Sequence, residues 1–100
     1  MRNIENLYKS AGFAETKLKS LANSNRLMLL CLLQDEPKDV SSLVSASGLS
    51  QSVVSQHLAK LKEADVVTPE KEGKSIIYKI SDPVTLAILS SLYLAYCYPN

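Results

Sequence analysis

The stretch that most constrains this fold covers residues 48–62, GLSQSVVSQHLAKLK. Gly48 follows a short helical pattern over Val40–Ser47 and suits the left-handed position that ends many helices. Ser50 stands where a helix N-cap would accept a backbone N–H. These signals predict two helices that meet at a tight turn.

The second helix of this pair has two unlike faces. One is an apolar stripe at i, i+4 and i+7, formed by Val54, Leu58 and Leu61. Burying that stripe turns outward a face that carries Ser52, Gln56, Ala59 and Glu63, with Ser55 and Lys60 beside it. Glutamine can bond adenine edges, and serine can reach bases or phosphates. The stretch therefore predicts a helix-turn-helix that reads a DNA major groove. The alternative is a surface helix of an ordinary bundle, rich in Ser and Gln.

Composition limits the class of protein. One hundred residues, of which 46% are hydrophobic, predict one folded domain, residues 1–100, in which a second subunit would help to bury apolar surface. The longest apolar run, residues 27–33, is far below the roughly 20 residues that span a bilayer, and the start lacks a signal pattern. We expect a cytoplasmic protein with no membrane partner. A net charge of +1 is weak for a nucleic-acid binder, so specific contacts must contribute more.

Helical patterns occupy both ends of the chain. Apolar residues keep helical spacing over Ile4–Leu21, and this helix either packs against a partner subunit or closes the domain's own core. A last helix is predicted from Pro83, with a stripe at Val84, Ala87, Ile88, Ser91, Leu92, Ala95 and Tyr96. Pairing the terminal helices of two copies would give a homodimer whose recognition helices lie about one DNA turn apart, for a palindromic site.

A segment that is apolar on every side, residues 27–33, predicts a central helix that includes Cys31. One of residues 23–25 is expected to cap it. Arg26 in its first turn opposes the helix dipole, so we expect an anionic partner, either a nearby carboxylate or a DNA phosphate.

The pattern changes from a period of 3.6 to a period of 2 after Asp65. Extended runs are predicted over residues 66–70 and 75–80, with a hairpin turn at KEGK, residues 71–74. A hairpin after a helix-turn-helix predicts a wing. Its lysines, Lys71, Lys74 and Lys79, either contact phosphate or a minor groove, Lys74 foremost, or form a charged, solvated edge.

With these elements in place, the chain resembles the ArsR-type winged-helix transcriptional repressors over nearly its whole length. LKSLANSNRLMLLCLL (residues 18–33) looks like their second-helix signature, VSSLVSASGLSQSVVSQHLAKLKEADVV (40–67) like their DNA-reading motif, and EGKSIIYKI (72–80) like their wing. The resemblance implies a mainly α fold of five helices with a β-hairpin wing, in which the terminal helices form a homodimer interface. It also implies a repressor that leaves its double-stranded DNA operator when a small signal binds. No glycine-rich phosphate loop, HExxH or paired carboxylates occur, so an enzyme is not expected.

The predicted DNA-binding residues lie on the recognition helix and the wing. They are Ser50, Gln51, Ser52, Ser55, Gln56, His57, Lys60 and Lys74. His57 lies on the flank of the buried stripe, so a packed, hydrogen-bonded histidine is favoured over one that reads bases. Lysine stands at position 74 where many relatives carry arginine, which weakens bidentate recognition.

Cys31 and Cys97 are the two cysteines of the chain. Judged from the residues alone, they are inert, metal-binding or redox-active. The resemblance extends to the dithiol, persulfide-responsive branch that includes the BigR, SqrR and HlyU regulators. It implies that reactive sulfur species or oxidants bridge the two thiols through a disulfide or polysulfide, and that the operator is then released. A direct disulfide requires Cα atoms within about 7 Å. No cofactor is expected.

Other interpretations stay open. The same regulator could respond to a soft metal or lack a working sensor, although two cysteines and one histidine make a poor metal site, so none is predicted. Cys31 would then be a small core residue and Cys97 a terminal one. A winged helix that binds protein instead of DNA is the third possibility.

Overall fold

The computed structural model describes residues 3–97. They form five helices and one antiparallel hairpin in the order α1 (Ile4–Leu21), α2 (Ser24–Asp35), α3 (Val40–Ser47), α4 (Gln51–Glu63), β1 (Val67–Glu72), β2 (Ser75–Ile80) and α5 (Pro83–Tyr96). The predicted winged helix-turn-helix is confirmed. No helix within the described range is long and apolar enough to cross a membrane.

Each of these helices is preceded by a capping residue whose side chain accepts a backbone N–H. The caps are Asn3, Asn23, Asp39, Ser50 and Asp82. A cap satisfies one of the backbone donors that the first turn of a helix leaves free. Asn23 is therefore the cap among the three candidates before α2, and the predicted cap at Ser50 is confirmed.

The turn between α3 and α4 has the glycine geometry that the sequence predicts. Gly48 adopts φ 77°, and its N–H donates to the carbonyl oxygen of Val44 at 3.0 Å. A residue with a Cβ is strained at this φ, so glycine is favoured there. Because α4 begins three residues later, this turn sets the angle between the two helices.

The core lies where α2, α3, α4 and the base of the wing meet. Its buried apolar side chains are Leu21, Leu29, Leu30, Leu33, Leu43, Val54, Leu58, Leu61, Val66, Val67 and Leu89. The predicted stripe of α4 is confirmed, with Val54, Leu58 and Leu61 exposed by 0%, 1% and 0%. Burying one such side chain contributes about 1.5–3 kcal/mol, so the stripe decides which face of α4 turns outward.

The predicted central helix is confirmed, because α2 packs against α3, α4, α5 and the wing, but it is not buried on every side. Leu29, Leu30 and Leu33 face the core, whereas Cys31 is exposed. The helical period brings the three leucines to one side and turns Cys31 away from them. Cys31 is therefore not the small core residue of the alternative interpretation.

The wing differs from the prediction in its first strand. β1 covers Val67–Glu72 instead of residues 66–70, and a two-residue turn at Gly73 and Lys74 replaces the predicted four-residue turn. Gly73 has φ 63°, as the first central position of a tight hairpin turn requires. β2 begins and ends where the sequence predicts.

Pro69 fits into β1 because it lies opposite Tyr78. The N–H and the carbonyl of Tyr78 bond to Lys38 on the other side of β2, at 2.8 and 3.1 Å. They therefore require no partner on β1, where proline has no N–H to offer. The same two bonds tie the wing to the loop after α2.

The terminal helices bury little of their apolar surface within one chain. Leu21 is the buried residue of α1, and α5 buries Thr85 and Leu89 instead of the predicted stripe, of which Ile88 and Leu92 are partly buried. The helix predicted from Pro83 is confirmed, and because α5 is apolar on most sides, periodicity does not single out the face that the chain itself buries. The exposed apolar side chains of both helices are Ile4, Leu7, Tyr8, Phe13, Leu18, Val84, Leu86, Tyr93, Leu94 and Tyr96.

Candidate functional site

The outer face of α4 is fully available to a partner. Ser52, Gln56, Ala59 and Glu63 are exposed, and so are Gln51, Ser55 and Lys60. This arrangement follows from the burial of the opposite stripe. The face presents hydroxyl, amide and ammonium groups with little bulk, a composition suited to base edges and phosphates.

The first turn of α4 adds a favourable field for an anion. It contains no acidic residue, and the N-terminus of a helix carries partial positive charge. Ser50 is already engaged as the cap, since its Oγ accepts the N–H of Val53 at 3.2 Å and lies 3.3 Å from Oγ of Ser52. Ser50 therefore stabilises the start of α4 as its cap, and its predicted contact with DNA would come in addition to this role.

His57 is partly buried, as predicted, but the predicted hydrogen bond is not found. Its buried Nδ1 has no hydrogen-bond partner among residues 3–97. Burial, and then the positive charges of Arg26 and Lys60, lower the pKa of His57. The imidazole is therefore neutral at neutral pH and packs beside the core.

Within the chain Arg26 binds carbonyl groups, and the expected carboxylate partner is not found among the residues that the structure describes; a DNA phosphate stays a prediction. Its Nε donates to the carbonyl oxygen of Ser20 at 2.8 Å, and a terminal nitrogen lies 3.5 Å from that of Lys19. These carbonyls belong to the last turn of α1, where the helix dipole is negative. Arg26 thus stabilises the end of the preceding helix.

Lys17 ties α1 to α4 and α5 at once. Its Nζ lies 2.9 Å from Oδ2 of Asp82, the cap of α5, and donates to the carbonyl oxygen of Ala64, the C-cap of α4, at 3.3 Å. Burial raises the pKa of Asp82, but hydrogen bonds from Lys17 and Thr85 outweigh it and lower that pKa overall. One ammonium group therefore joins the recognition helix to the helix that carries Cys97. Sequence reasoning missed this role of Lys17, because local patterns carry no information on contacts with residues as distant in sequence as Ala64 and Asp82.

The lysines of the wing are not equivalent. Nζ of Lys79 lies 3.0 Å from a carboxylate oxygen of Glu70 on the neighbouring strand. Lys74 is exposed in the turn and Lys71 is exposed on β1. The positive charge of Lys79 is thus partly compensated, and Lys74 is the best placed of the three to reach a phosphate.

Cys31 and Cys97 line one cavity of about 610 Å³ between α2 and α5. Both are free thiols with exposed side chains. The backbone N–H of Cys97 donates to the carbonyl of Tyr93 at 2.8 Å, so Cys97 ends α5 in an ordered turn. The fold therefore brings together two thiols that stand 66 positions apart in the sequence (97 − 31).

The environment of Cys31 disfavours its thiolate. Partial burial of its sulfur, and then the negative charge of Cys97, raise the pKa of Cys31. Across residues 3–97, no group of three or more His, Cys, Asp and Glu side chains could hold a metal ion.

Five further residues line this cavity, and of these the sequence indicated Tyr93, as a neighbour of Cys97. They are Gln34, Asp35, Ser90, Tyr93 and Leu94. Positions 34 and 35 follow Cys31 by three and four residues, and 94, 93 and 90 precede Cys97 by three, four and seven. Helical spacing counted from each cysteine would have found them, because such residues share a helix face.

The fold and the outer face of α4 define a class, the winged helix-turn-helix proteins that bind DNA. Comparison with known proteins gives the family. Residues 23–68 match the bacterial regulatory proteins of the arsR family. The chain is 37% identical over 98 residues to the transcriptional activator HlyU of Vibrio cholerae. The matched region covers 98% of this chain and 91% of HlyU. The solved structure of reduced HlyU matches with a TM-score of 0.89 and 36% identity, over 94% of this chain and 99% of that one.

Two further relatives extend the comparison. The chain is 32% identical over 98 residues to the HTH-type transcriptional regulator YgaV of Escherichia coli, covering 97% of this chain and 99% of YgaV. It is 34% identical over 83 residues to the biofilm growth-associated repressor of Agrobacterium fabrum, covering 83% of this chain and 71% of that protein. The chain belongs to the ArsR family. It is a DNA-binding transcriptional regulator and not an enzyme.

Proposed function

We propose that this regulator is a homodimeric repressor whose affinity for its operator falls when reactive sulfur species or oxidants bridge Cys31 and Cys97 through a disulfide or polysulfide. The observation that carries the proposal is the shared cavity of the two thiols. The similarity to a solved structure that is described as reduced HlyU is consistent with a thiol-based response.

DNA binding is assigned to α4 and the wing. Ser52, Ser55 and Gln56 contact base edges, while Gln51, Lys60 and Lys74 contact phosphates. Ser50 caps the helix, and His57 positions it from the flank. Alanine at Ser52, Ser55 and Gln56 together is expected to weaken binding to the protein's own promoter region by at least roughly tenfold, since each good base contact contributes about 1–3 kcal/mol. Unchanged binding would favour the protein-interaction module instead.

The dimer is assigned to the terminal helices. Ile4, Leu7 and Tyr8 of α1 and Leu94 and Tyr96 of α5 expose large apolar side chains that water solvates poorly. A symmetric pairing of these helices would bury them and present two copies of α4 to a palindromic operator. Sedimentation at micromolar concentration tests this, and a monomeric protein would contradict it.

The signal passes from the thiols to α4 through the contacts of α5. A bridge between Cys31 and Cys97 pulls the end of α5 towards α2, and α5 moves as a rigid rod. At the other end of α5, the capping residue Asp82 forms an ion pair with Lys17. The ammonium group of Lys17 also donates to the carbonyl oxygen of Ala64 at the end of α4. A shift of α5 therefore acts on the recognition helix as well as on the dimer.

The decisive test combines mass and affinity. The reduced protein is treated with an inorganic or organic persulfide, weighed intact, and titrated with promoter DNA. We expect a cross-linked product and an affinity lower by about 5- to 150-fold, the usual range of coupling between two sites. Cys31→Ser and Cys97→Ser should bind DNA like the reduced protein and lose the response.

A second candidate is a regulator of the same fold with a soft-metal inducer or no working sensor. The raised pKa of Cys31 favours the version without a sensor, because less thiolate is present to react with sulfur or to bind a metal. The intact mass after persulfide treatment could show neither added sulfur nor a cross-link, and Cys31→Ser could remain fully inducible in a promoter assay. Together these results would eliminate the thiol switch and favour the second candidate.

A further inference from the structure

We propose that the cavity beside Cys31 and Cys97 selects uncharged organic polysulfides over anionic sulfur donors as the molecules that bridge the two thiols. The inference rests on the proposed thiol switch and names the class of molecule that operates it. Two properties of the cavity carry it, its apolar walls and the sign of its charge.

The cavity has the size and lining of a small-molecule site. Its volume of about 610 Å³ lies within the roughly 300–1,000 Å³ of such sites. Tyr93 and Leu94 supply apolar surface next to the two sulfur atoms, while Gln34 and Ser90 supply the uncharged polar groups. A donor with short alkyl arms would gain free energy by leaving water for these walls.

The charge of the cavity opposes anions. Asp35 lines it, and no lysine or arginine is among the lining residues that the structure describes. The attacking thiolate adds a second negative charge during the reaction. Hydropolysulfide ions and carboxylate-bearing persulfides bring a further negative charge, which the carboxylate of Asp35 on the same cavity repels, most strongly at low ionic strength.

The chemistry of an uncharged trisulfide, R–S–S–S–R, balances without another oxidant. One protein thiolate attacks the central sulfur, the bond to an outer sulfur breaks, and R–S⁻ leaves. The second thiolate attacks the same sulfur and expels the other R–S⁻. The two cysteine thiols have lost two protons and two electrons, the donor is reduced to two R–SH, and a Cys–S–S–S–Cys bridge remains.

Attack on an outer sulfur gives the shorter bridge. The first thiolate then forms Cys–S–S–R and expels R–S–S⁻. The second thiolate attacks the cysteine sulfur of this adduct and expels R–S⁻. The products are a direct disulfide, one R–SSH and one R–SH, so the mass of the protein distinguishes the two routes.

Three trisulfides of similar size test the selection. Their arms end in a hydroxyl (2-hydroxyethyl), a carboxylate (2-carboxyethyl) or an ammonium group (2-aminoethyl). The rate of bridge formation in the reduced full-length protein is followed by intact mass, and each rate is divided by that of a small uncharged dithiol with the same donor. We expect the carboxylate donor to react about three- to tenfold more slowly than the hydroxyl donor.

Asp35→Asn identifies the source of the selection. It should raise the relative rate of the carboxylate donor and leave that of the hydroxyl donor unchanged. Glu63→Gln is the matched control, because it removes the same charge from an exposed position on α4 that does not line this cavity. Gln34→Lys, at an exposed position that lines the cavity and has no assigned part in the dimer, should make the carboxylate donor the faster one, and it is the second variant if Asp35→Asn fails to fold.

The outcomes separate this inference from the proposed function. If none of the donors bridges the thiols, the thiol switch itself fails. If bridges form and the carboxylate donor reacts as fast as the hydroxyl donor or faster, the switch stands and the selection is wrong. Equal acceleration of all three donors by Asp35→Asn would also overturn it, because a change in thiol reactivity would then explain the rates.

Discussion

The recognition helix α4 and the last helix α5 differ in how much of their apolar surface is buried within one chain. α4 buries its three stripe residues completely within one chain and exposes a polar face. α5 buries Thr85 and Leu89 but exposes Tyr93, Leu94 and Tyr96 to solvent. The half of the molecule that faces DNA is therefore complete in a single chain, whereas the half that carries Cys97 is built for further contacts, with a partner subunit or with a small molecule.

The largest expected effect comes from the buried stripe. Leu58→Ala should lower the free energy of unfolding by about 2–5 kcal/mol, because it leaves a cavity in the core. Leu94→Ala, on the outer face of α5, should cost less than about 1 kcal/mol in a dilute, monomeric sample. Urea denaturation measures both. The loss of unfolding free energy caused by Leu94→Ala could instead approach that of Leu58→Ala and depend on protein concentration. That result would show that a partner buries α5 in solution.

The turn before α4 gives the next effect. Gly48→Ala should destabilise the protein by about 1–2 kcal/mol, since a Cβ is unfavourable at φ 77°. Gly12→Ala is the matched control within α1, where a Cβ would meet nothing within 4 Å, and it should stabilise by about 0.5–1 kcal/mol. Thermal or urea unfolding compares them, and the same sign at both positions would contradict this account.

The link between α4 and α5 is tested at Lys17. Lys17→Met should cost about 1–2 kcal/mol, because it leaves the partly buried carboxylate of Asp82 without its cation. Lys19→Met removes an exposed partner of Glu15 and should cost less than about 0.5 kcal/mol. In the thiol switch, Lys17→Met should also reduce the ratio of the DNA affinities of the reduced and bridged forms.

The effect of Lys17 on stability should depend on pH in one direction. The pKa of Asp82 is lower in the folded than in the unfolded protein. Its contribution is therefore present above the unfolded pKa and is lost as the pH falls through the folded value. The difference in stability between the wild type and Lys17→Met should shrink in acid, and a difference that grew in acid would exclude this assignment.

The smallest effect concerns the two thiols. Because the negative charge of Cys97 helps to raise the pKa of Cys31, Cys97→Ser should lower that pKa, although burial still keeps it above the ordinary value. The pH dependence of the alkylation rate of Cys31 measures the shift. The alkylation rate at high pH, where the thiol is fully ionised, is the control. If this rate is the same in the wild type and in Cys97→Ser, the substitution has not changed the exposure of Cys31. An unchanged pKa would mean that the sulfur atoms do not interact.

Sequence reasoning succeeded where one helix or one turn carries its own signal. The stripe of α4, the cap at Ser50 and the glycine at Gly48 depend on neighbours within a few residues. It could not tell which face of α5 the chain itself buries, because a helix that is apolar on most sides does not specify that face. It also missed the carbonyl partners of Arg26 at the end of α1, which follow from how two helices meet and not from charge pairing.

By itself, the sequence determined the order of the elements, the outward face of α4 and the position of the wing, because periodicity, caps and turn residues act locally. Only the tertiary structure decided that Lys17 joins three helices and that Cys31 and Cys97 share a cavity with Asp35. These contacts connect residues far apart in the chain, so they depend on how the helices pack against one another, which no local pattern encodes.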